Sequence, residues 1–417
     1  MRILLVPNSY HPILGGVQTV THNLAQNLLK SGHEVQVVTN RYPRMLPALE
    51  TMDGICVRRL LFLAPQSNSL QRGRADLFLA SFYFYPSSLW RLRNLMRTFR
   101  PEIVNVHFPD HQINFVLALR QRFEFRLIVS LHGHEVERVA LSNSVETRKA
   151  TKHSAAAQGL QLILQEADAV TACSQDLLDK AIKLEPSIAA KARVIHNGID
   201  PKRFIGKSPH FHPRPYALSF GRLTRKKGFD LLLDAFARAE EVERGIDLII
   251  AGKGEEQNAL MQQAQQLGLE RRVHFRGQAT PEEVVRLLNG CEFVVVPSRC
   301  EPFGIVALEA LAAGKPLLAT KIGGLAEFLS EFDETEVKSE CGEQHLIKRR
   351  NSSAYPKPLV LLVDPNPEDL ANGLLQISEL TRSDSKGKGM GHYCLSDKYS
   401  WEHVARRYEN VLVGSVS

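Results

Sequence analysis

The feature that most constrains this chain is a rhythm. Short runs of β-branched and aliphatic residues alternate with amphipathic stretches almost from end to end. RILLV (2–6) leads through a glycine pair into VQTVTHNLAQNLLK, whose apolar residues recur at helical spacing, and EVQVVT (34–39) follows. Further strand candidates are EIVNV (102–106), RLIVS (126–130), DAVTA (168–172) and ARVIH (192–196). Such alternation argues for a parallel sheet covered by helices on both faces.

The rhythm breaks at 197–215, where NGIDPKRFIGKSPHFHPRPY is rich in proline, glycine and charge, the mark of a linker. It then restarts with YALSF (216–220), GRLTRKKG, FDLLLDAFARA, DLIIAGKGEE, RVHFRG, CEFVVVP and PLLAT. Two α/β domains are expected, each Rossmann-like: residues 1–200, and 201–399. The length of 417 residues suggests two or three domains, since single cores rarely grow much past roughly 250–300 residues. Residues 330–358 are polar and aperiodic and read as an inserted loop before LVLLVD (359–364). The tail SWEHVARRYENVLV reads as a closing helix over 400–417, capped by Ser400, with Trp401, Val404, Tyr408 and Val411 on one face.

Composition narrows the function classes. The chain carries 52 Lys plus Arg against 45 Asp plus Glu, a formal charge of +7. That excess suits an anionic small ligand or a membrane surface and is too weak to argue for nucleic acid. The six cysteines are scattered, with no C-x-x-C pair, which reads as reduced thiols of a cytosolic protein. No stretch has the length and apolarity of a membrane span, and MRILLVPNSY reads as a first strand, not a signal peptide.

Six stretches are candidates to carry chemistry. In GRLTRKKG (221–228), a loop after a strand, Arg222 and Lys227 can converge on one diphosphate; a solvated basic turn is equally open. In AGKGEE, Gly252 and Gly254 allow close backbone approach, although such turns are common. SRCEPFGIVALEALAAGKP (298–316) sets Glu301 before a helix expected to start at Pro302, with Glu309 about two turns in. The N–H groups of Phe303, Gly304 and Ile305 would then face a phosphate. The two carboxylates suit vicinal hydroxyls, so a ligand with central phosphates and a diol at each end, such as a nucleotide sugar, fits the array. The competing reading makes Glu301 a cap and Glu309 a surface residue. In the first half, ILGGVQ (13–18) and LHGHE (131–135) follow strands. The histidine spacings match no common zinc motif, so no metal is expected, and a histidine at a strand end suits a hydrogen bond to a substrate hydroxyl. Residues 87–102, with Trp90, Leu92, Leu95, Met96 and Phe99 among four arginines, read either as a packed helix or as a peripheral membrane contact.

Together these stretches resemble the retaining glycosyltransferases of family four, the "group 1" family with the GT-B fold. The matching residues are GGVQTVTHNLAQNLLKSGHEVQVVT, HGHE, VIHNGID, GRLTRKKG, AGKGEE, VHFRG, EPFGIVALE and GGLAEFL, in the family's order over nearly the whole chain. The resemblance implies two Rossmann-like domains facing across a cleft, with the C-terminal helix packed back on the N-terminal domain. It gives the N-terminal domain the acceptor and the C-terminal domain the nucleotide-activated sugar. By motif, Arg222 and Lys227 would grip the diphosphate, Glu301 the donor sugar and Glu309 the ribose. Phe303, Gly304 and Ile305 would offer backbone N–H groups. Gly16 would lie beside phosphate and acceptor, and His132 would hydrogen-bond the donor sugar. Gly252 and Arg276 join the nucleotide-binding set, with the loop after VHFRG against the base. No metal or other cofactor is implied. UDP is the first expectation for the carrier and GDP the second, with a lipid-linked saccharide or envelope polysaccharide as acceptor at the cytoplasmic membrane face. A synthase or phosphorylase acting on a soluble sugar, and a degenerate sugar-nucleotide-binding protein, are the alternatives. The chain departs from the family's pattern in the 330–358 insert and in Arg225-Lys226, where many members carry Pro-Glu.

Overall fold

The computed structural model describes residues 1–13, 15–64, 75–143, 150–239, 245–332, 358–384 and 397–414. The insert expected at 330–358 therefore lies, from 333 to 357, outside the described residues. The chain forms two compact units, Met1–Gly198 with Trp401–Ser417, and Ile199–Ser400.

The first unit is built on an eight-stranded sheet. Its strands are β1 (Arg2–Pro7), β2 (Glu34–Asn40), β3 (Leu49–Met52), β4 (Ile55–Leu60), β5 (Ile103–His107), β6 (Arg126–Leu131), β7 (Ala169–Ala172) and β8 (Ala192–Val194). They lie in the order β3-β4-β2-β1-β5-β6-β7-β8. All described pairings are parallel except β3 with β4, a hairpin that registers Met52 on Ile55. Asp53 and Gly54 form its turn at φ 50° and 80°, the two-residue geometry that matches strand twist. This hairpin is an addition to the expected strand set. Helices α1 (Gly16–Lys30), α2 (Ala75–Phe99), α3 (Ile113–Arg120), α4 (His134–Asn143), α5 (Ala150–Glu166) and α6 (Gln175–Leu184) make the crossovers. The central strands are apolar on both faces, with Ile3, Leu5, Val37, Val106, Val129 and Val170 at 0–2% exposure, as covered parallel strands require.

The second unit repeats the plan. Its strands β9 (Tyr216–Phe220), β10 (Asp247–Ala251), β11 (Val273–Gly277), β12 (Phe293–Val296), β13 (Leu317–Thr320) and β14 (Val360–Val363) run parallel in the order β11-β10-β9-β12-β13-β14. Its helices are α7 (Phe229–Arg238), α8 (Gln257–Gln266), α9 (Pro281–Gly290), α10 (Ile305–Ala312), α11 (Gly323–Leu329) and α12 (Pro367–Asp384). One continuous core runs from Leu232 and Phe236 on α7 through Leu248, Phe293 and Leu318 to Leu370 and Leu374 on α12. Each such side chain contributes about 1.5–3 kcal/mol by leaving water.

The chain closes with α13 (Trp401–Val413), which packs on α1 and so belongs to the first unit. Trp401, Val404, Tyr408 and Leu412 form its buried face. Leu412, one residue past the expected Val411, completes the stripe at i, i+3, i+7 and i+11.

Two expectations are corrected. The helix expected at Pro302 begins at Ile305, after Gly304 in the left-handed region at φ 96°. The Phe303 ring is the reason: it is buried and stacked on Phe328, 5.0 Å between centroids, which draws 302–304 into a loop that only glycine can finish. In α2, Leu92, Leu95 and Met96 are core residues, whereas Trp90 is exposed. Trp90 instead shares an outer stripe with Leu79, Phe82, Tyr83 and Pro86.

Candidate active site

In each sheet the strand order reverses once, and the loops after the carboxyl ends of the two flanking strands form the ligand crevice of open α/β folds. In the second unit these strands are β9 and β12. The loop 221–228 leaves β9 and the loop 297–304 leaves β12.

The two loops are fastened to each other. Gly228 stands at φ 66°, and a Cβ there would come within 2.0 Å of the Pro297 carbonyl oxygen. The Lys226 carbonyl accepts from the Arg299 N–H at 2.7 Å. The Arg299 guanidinium donates to both carboxylate oxygens of Asp230, at 2.6 and 2.7 Å. Burial alone would raise the Asp230 pKa, but the bonds and charge of Arg299, with the charge of Arg225, outweigh it and hold that carboxyl below its ordinary range. Such a bidentate pair fixes orientation as well as distance. The sequence reading missed both Asp230 and Arg299, whose 69-residue separation leaves no periodic trace.

This fastening sets Lys227 beside Glu301. The Lys227 Nζ donates to Glu301 Oε2, and Ser298 Oγ donates to the same oxygen at 3.3 Å. Glu301 is buried, so it needs those partners. Arg222, by contrast, is 77% exposed, and among the described residues its one ion-pair contact is a 3.9 Å approach to Glu255. Its guanidinium is available to an anion. The first-turn N–H groups of α10 belong to Ile305, Val306 and Ala307, two residues beyond the expected set, so of Phe303, Gly304 and Ile305 only Ile305 is a first-turn donor. Glu309 is the fifth residue of α10 and is half-buried. Burial pushes its carboxyl up to about 7, against the opposing charge of Arg203.

Gly252 and Gly254 serve the Arg222 loop directly. A Cβ on Gly252 would meet the Gly221 oxygen at 1.8 Å, and one on Gly254 the Leu223 oxygen at 2.0 Å. Their missing side chains are filled by backbone. Arg276 is the penultimate residue of β11, three strands from β12 in sheet order, and contacts His210 Nε2 at 2.8 Å. At the usual strand spacing that is roughly 14 Å across the sheet.

In the first unit the order reverses between β1 and β5. Gly16 is exposed and opens α1 after β1. His107 ends β5, fully buried, and its Nδ1 lies 3.1 Å from Nε2 of His132, just past β6. Glu135 Oε1 accepts the backbone N–H groups of His132 and Gly133 and so caps α4. His107 Nε2 has no hydrogen-bond partner among the described residues. A buried orphan N–H is the costlier arrangement, which assigns the His107 proton to Nδ1 as donor to His132. His132 then carries its own proton on Nδ1. Burial lowers its pKa to about 4 and pushes Glu135 up to about 7. His132 is therefore a neutral imidazole at physiological pH, suited to donating one hydrogen bond.

Among the described residues one cluster has metal-ligand spacing: His212, Asp247 and His274. It lies at the amino ends of β10 and β11, away from these loops. No helix is long and apolar enough to cross a membrane, among the described residues.

Comparison with known proteins adds the following. The family model for glycosyl transferases group 1 matches residues 200–352, and that for glycosyltransferase family 4 matches 14–203. The glycogen synthase of Mycobacterium tuberculosis is 31% identical over 78% of this chain and 80% of its own length. The GDP-mannose:cellobiosyl-diphosphopolyprenol alpha-mannosyltransferase of Xanthomonas oryzae is 25% identical over 98% of this chain and 95% of its own length. The solved structure of Anabaena HepE with UDP and glucose superposes with a TM-score of 0.68 at 19% identity, covering 99% of this chain and all of that one.

Proposed function

We propose, for a chain that belongs to the family-four glycosyltransferases and has the GT-B fold, retaining transfer of a hexose from a nucleoside-diphosphate sugar to a saccharide acceptor. The bond between the anomeric carbon and the diphosphate oxygen breaks. A bond from that carbon to an acceptor hydroxyl oxygen forms on the same face, and the hydroxyl proton passes to the departing diphosphate. Arg222 and Lys227 stabilise the charge that grows on the leaving group, the task otherwise given to a divalent metal. The N–H groups at the start of α10 point toward the same charge. Glu301 accepts hydroxyls of the transferred sugar, Glu309 the ribose, and His132 Nδ1 donates to the transferred sugar.

The observation that carries this reading is the Lys227–Glu301 pair at the strand-order reversal of the second sheet. A buried carboxylate and an ammonium are already fixed there, next to an exposed guanidinium and a helix start. UDP is the first candidate carrier, supported by HepE holding UDP and glucose, and GDP the second, supported by the Xanthomonas enzyme's donor. That enzyme's acceptor also favours a lipid-linked saccharide, reached through the exposed α2 stripe. The second reading is a soluble glucan acceptor, favoured by the glycogen synthase relative.

The test is donor consumption by Lys227→Ala and Glu301→Gln. Each is expected to lose turnover by about 10²–10³-fold, the usual cost of one transition-state stabilising group, with an unchanged circular-dichroism spectrum. Full turnover in either variant contradicts the assignment.

A further inference from the structure

A second site stands at the opposite end of the second sheet. Asp247 opens β10, and His274 is the second residue of β11. Ile249 is in register with His274, so Asp247, two residues earlier, shares a sheet face with that histidine. His212 comes from the segment that enters β9. Its Nε2 lies 2.8 Å from Asp247 Oδ2, and His274 Nε2 lies 3.0 Å from the same oxygen. All three ligand atoms fall within 4.8 Å of one another. The other carboxylate oxygen accepts Arg272 Nε at 2.8 Å, and Arg214 approaches it at 3.9 Å. Asp247 and His212 are almost fully buried, and His274 is one-third exposed.

We propose that His212, Asp247 and His274 bind a divalent metal of the zinc class. Two imidazoles and one carboxylate converging on one point are the donor set such ions select. Tetrahedral zinc with bonds of about 2.0–2.1 Å sets its ligands roughly 3.3 Å apart, so the present edges need to adjust by only a few tenths of an ångström, and the widest by more. Arg272 holds the non-ligating oxygen, the outer hydrogen bond that orients a ligating carboxylate. The exposed side of His274 leaves the fourth position to water. Arg272 and Arg214 add positive charge beside the ion and reduce its affinity without changing its donor set.

The site does not serve the transfer reaction, because it lies at the amino ends of the strands. Its effect is to clip the 205–215 segment to the edge strand β11 and its neighbour β10. The proposal is independent of the function argued above.

The experiment uses the full chain, stripped with a chelator that is then removed. Zn²⁺ alone is titrated in, and bound metal is measured by equilibrium dialysis and elemental analysis. The expected result is one equivalent bound per chain, with a rise in melting temperature, no rise with Mg²⁺, and loss of that equivalent in His274→Gln. Co²⁺ in place of Zn²⁺ should give the visible bands of a low-coordinate site in the wild type and not in the variant. The partial exposure of His274 lets its variant fold; His212→Gln repeats the test should it not. Failure of the stripped chain to bind Zn²⁺ overturns the proposal. So does binding that persists in both variants, which would place the ion on other surface groups.

Discussion

At the scale of single residues, the second unit separates two carboxylates that the sequence presents as a pair. Glu301 accepts hydrogen bonds from Lys227 and Ser298. The half-buried Glu309 carboxyl is pushed up to about 7 by desolvation, with the charge of Arg203 opposing. Its pKa in the folded chain is raised, so the folded state binds that proton more tightly than the unfolded state. The stabilisation is full below about 4.5 and is lost as pH rises toward 7, and Glu135 acts with the same sign. Ribose hydroxyls donate to the ionised form, so nucleotide affinity should do the reverse and rise through pH 7. Binding of UDP or GDP at pH 6 and 8 checks this: we expect up to about tenfold weakening per unit below 7, and a flat profile in Glu309→Gln. A wild-type profile as flat as the variant's contradicts the role. His107 carries a further prediction. Replacing it with Phe frees the His132 proton to move to Nε2. The account expects kcat to fall about tenfold, the worth of about 1.4 kcal/mol, with donor KM little changed; an equal rise in KM would mean a general loss of fit. Arg222, Lys227, Glu301 and Glu309 were legible in the sequence because each sits a fixed step from a strand end or a proline turn. His132 was legible as a strand-end histidine, but its tautomer depends on His107, 25 residues away.

At the scale of elements, strand–helix alternation was readable because each period buries its own face. Boundaries set by tertiary contacts were not. Nothing local in EPFGIVALE says that the Phe303 ring will stack on Phe328 and delay the helix to Ile305. The β3–β4 hairpin did leave a signal, the turn pair Asp53-Gly54 between LETM and ICVRRL, but LETM lacks the apolar run that marks the parallel strands. The joint between loops 221–228 and 297–304 gives this scale its prediction. Gly228→Ala places a Cβ against the Pro297 carbonyl at positive φ, a strain of about 1–3 kcal/mol. The melting transition should fall by roughly 2–10 °C, and nucleotide affinity should fall with it. An unchanged transition would mean the loops are not in contact. Helix α2 gives another. Its core face is Leu89, Leu92 and Met96, while Leu79, Tyr83 and Trp90 face outward, with Arg91 and Arg97 also exposed. An apolar stripe beside cations fits an anionic lipid surface. We expect pelleting with anionic vesicles, lost in Trp90→Ser combined with Arg91→Glu and Arg97→Glu. Equal pelleting of that variant would turn the argument toward the soluble acceptor.

At the scale of the whole molecule, two sheets carry the same device: the strand order runs outward from one strand, returns beside it, and leaves loops at the reversal. The number of such units was legible from the break in rhythm at 197–215. The order of the strands was not, since alternation fixes that strands are parallel and leaves open which ones are neighbours. It is that order that sets Lys227 and Glu301, 74 residues apart, on adjacent loops. The proposed function places a nucleoside diphosphate at this reversal in the second unit. The most direct measurement is the melting temperature of the full chain with UDP, GDP, ADP and their sugar conjugates, with and without Mg²⁺. A ligand at about 100 times its Kd stabilises by roughly 2.7 kcal/mol, a shift of several degrees. The account predicts a rise with one base, independent of Mg²⁺ and abolished in Glu309→Ala. No rise with any nucleotide, in a sample that melts cooperatively, would contradict it.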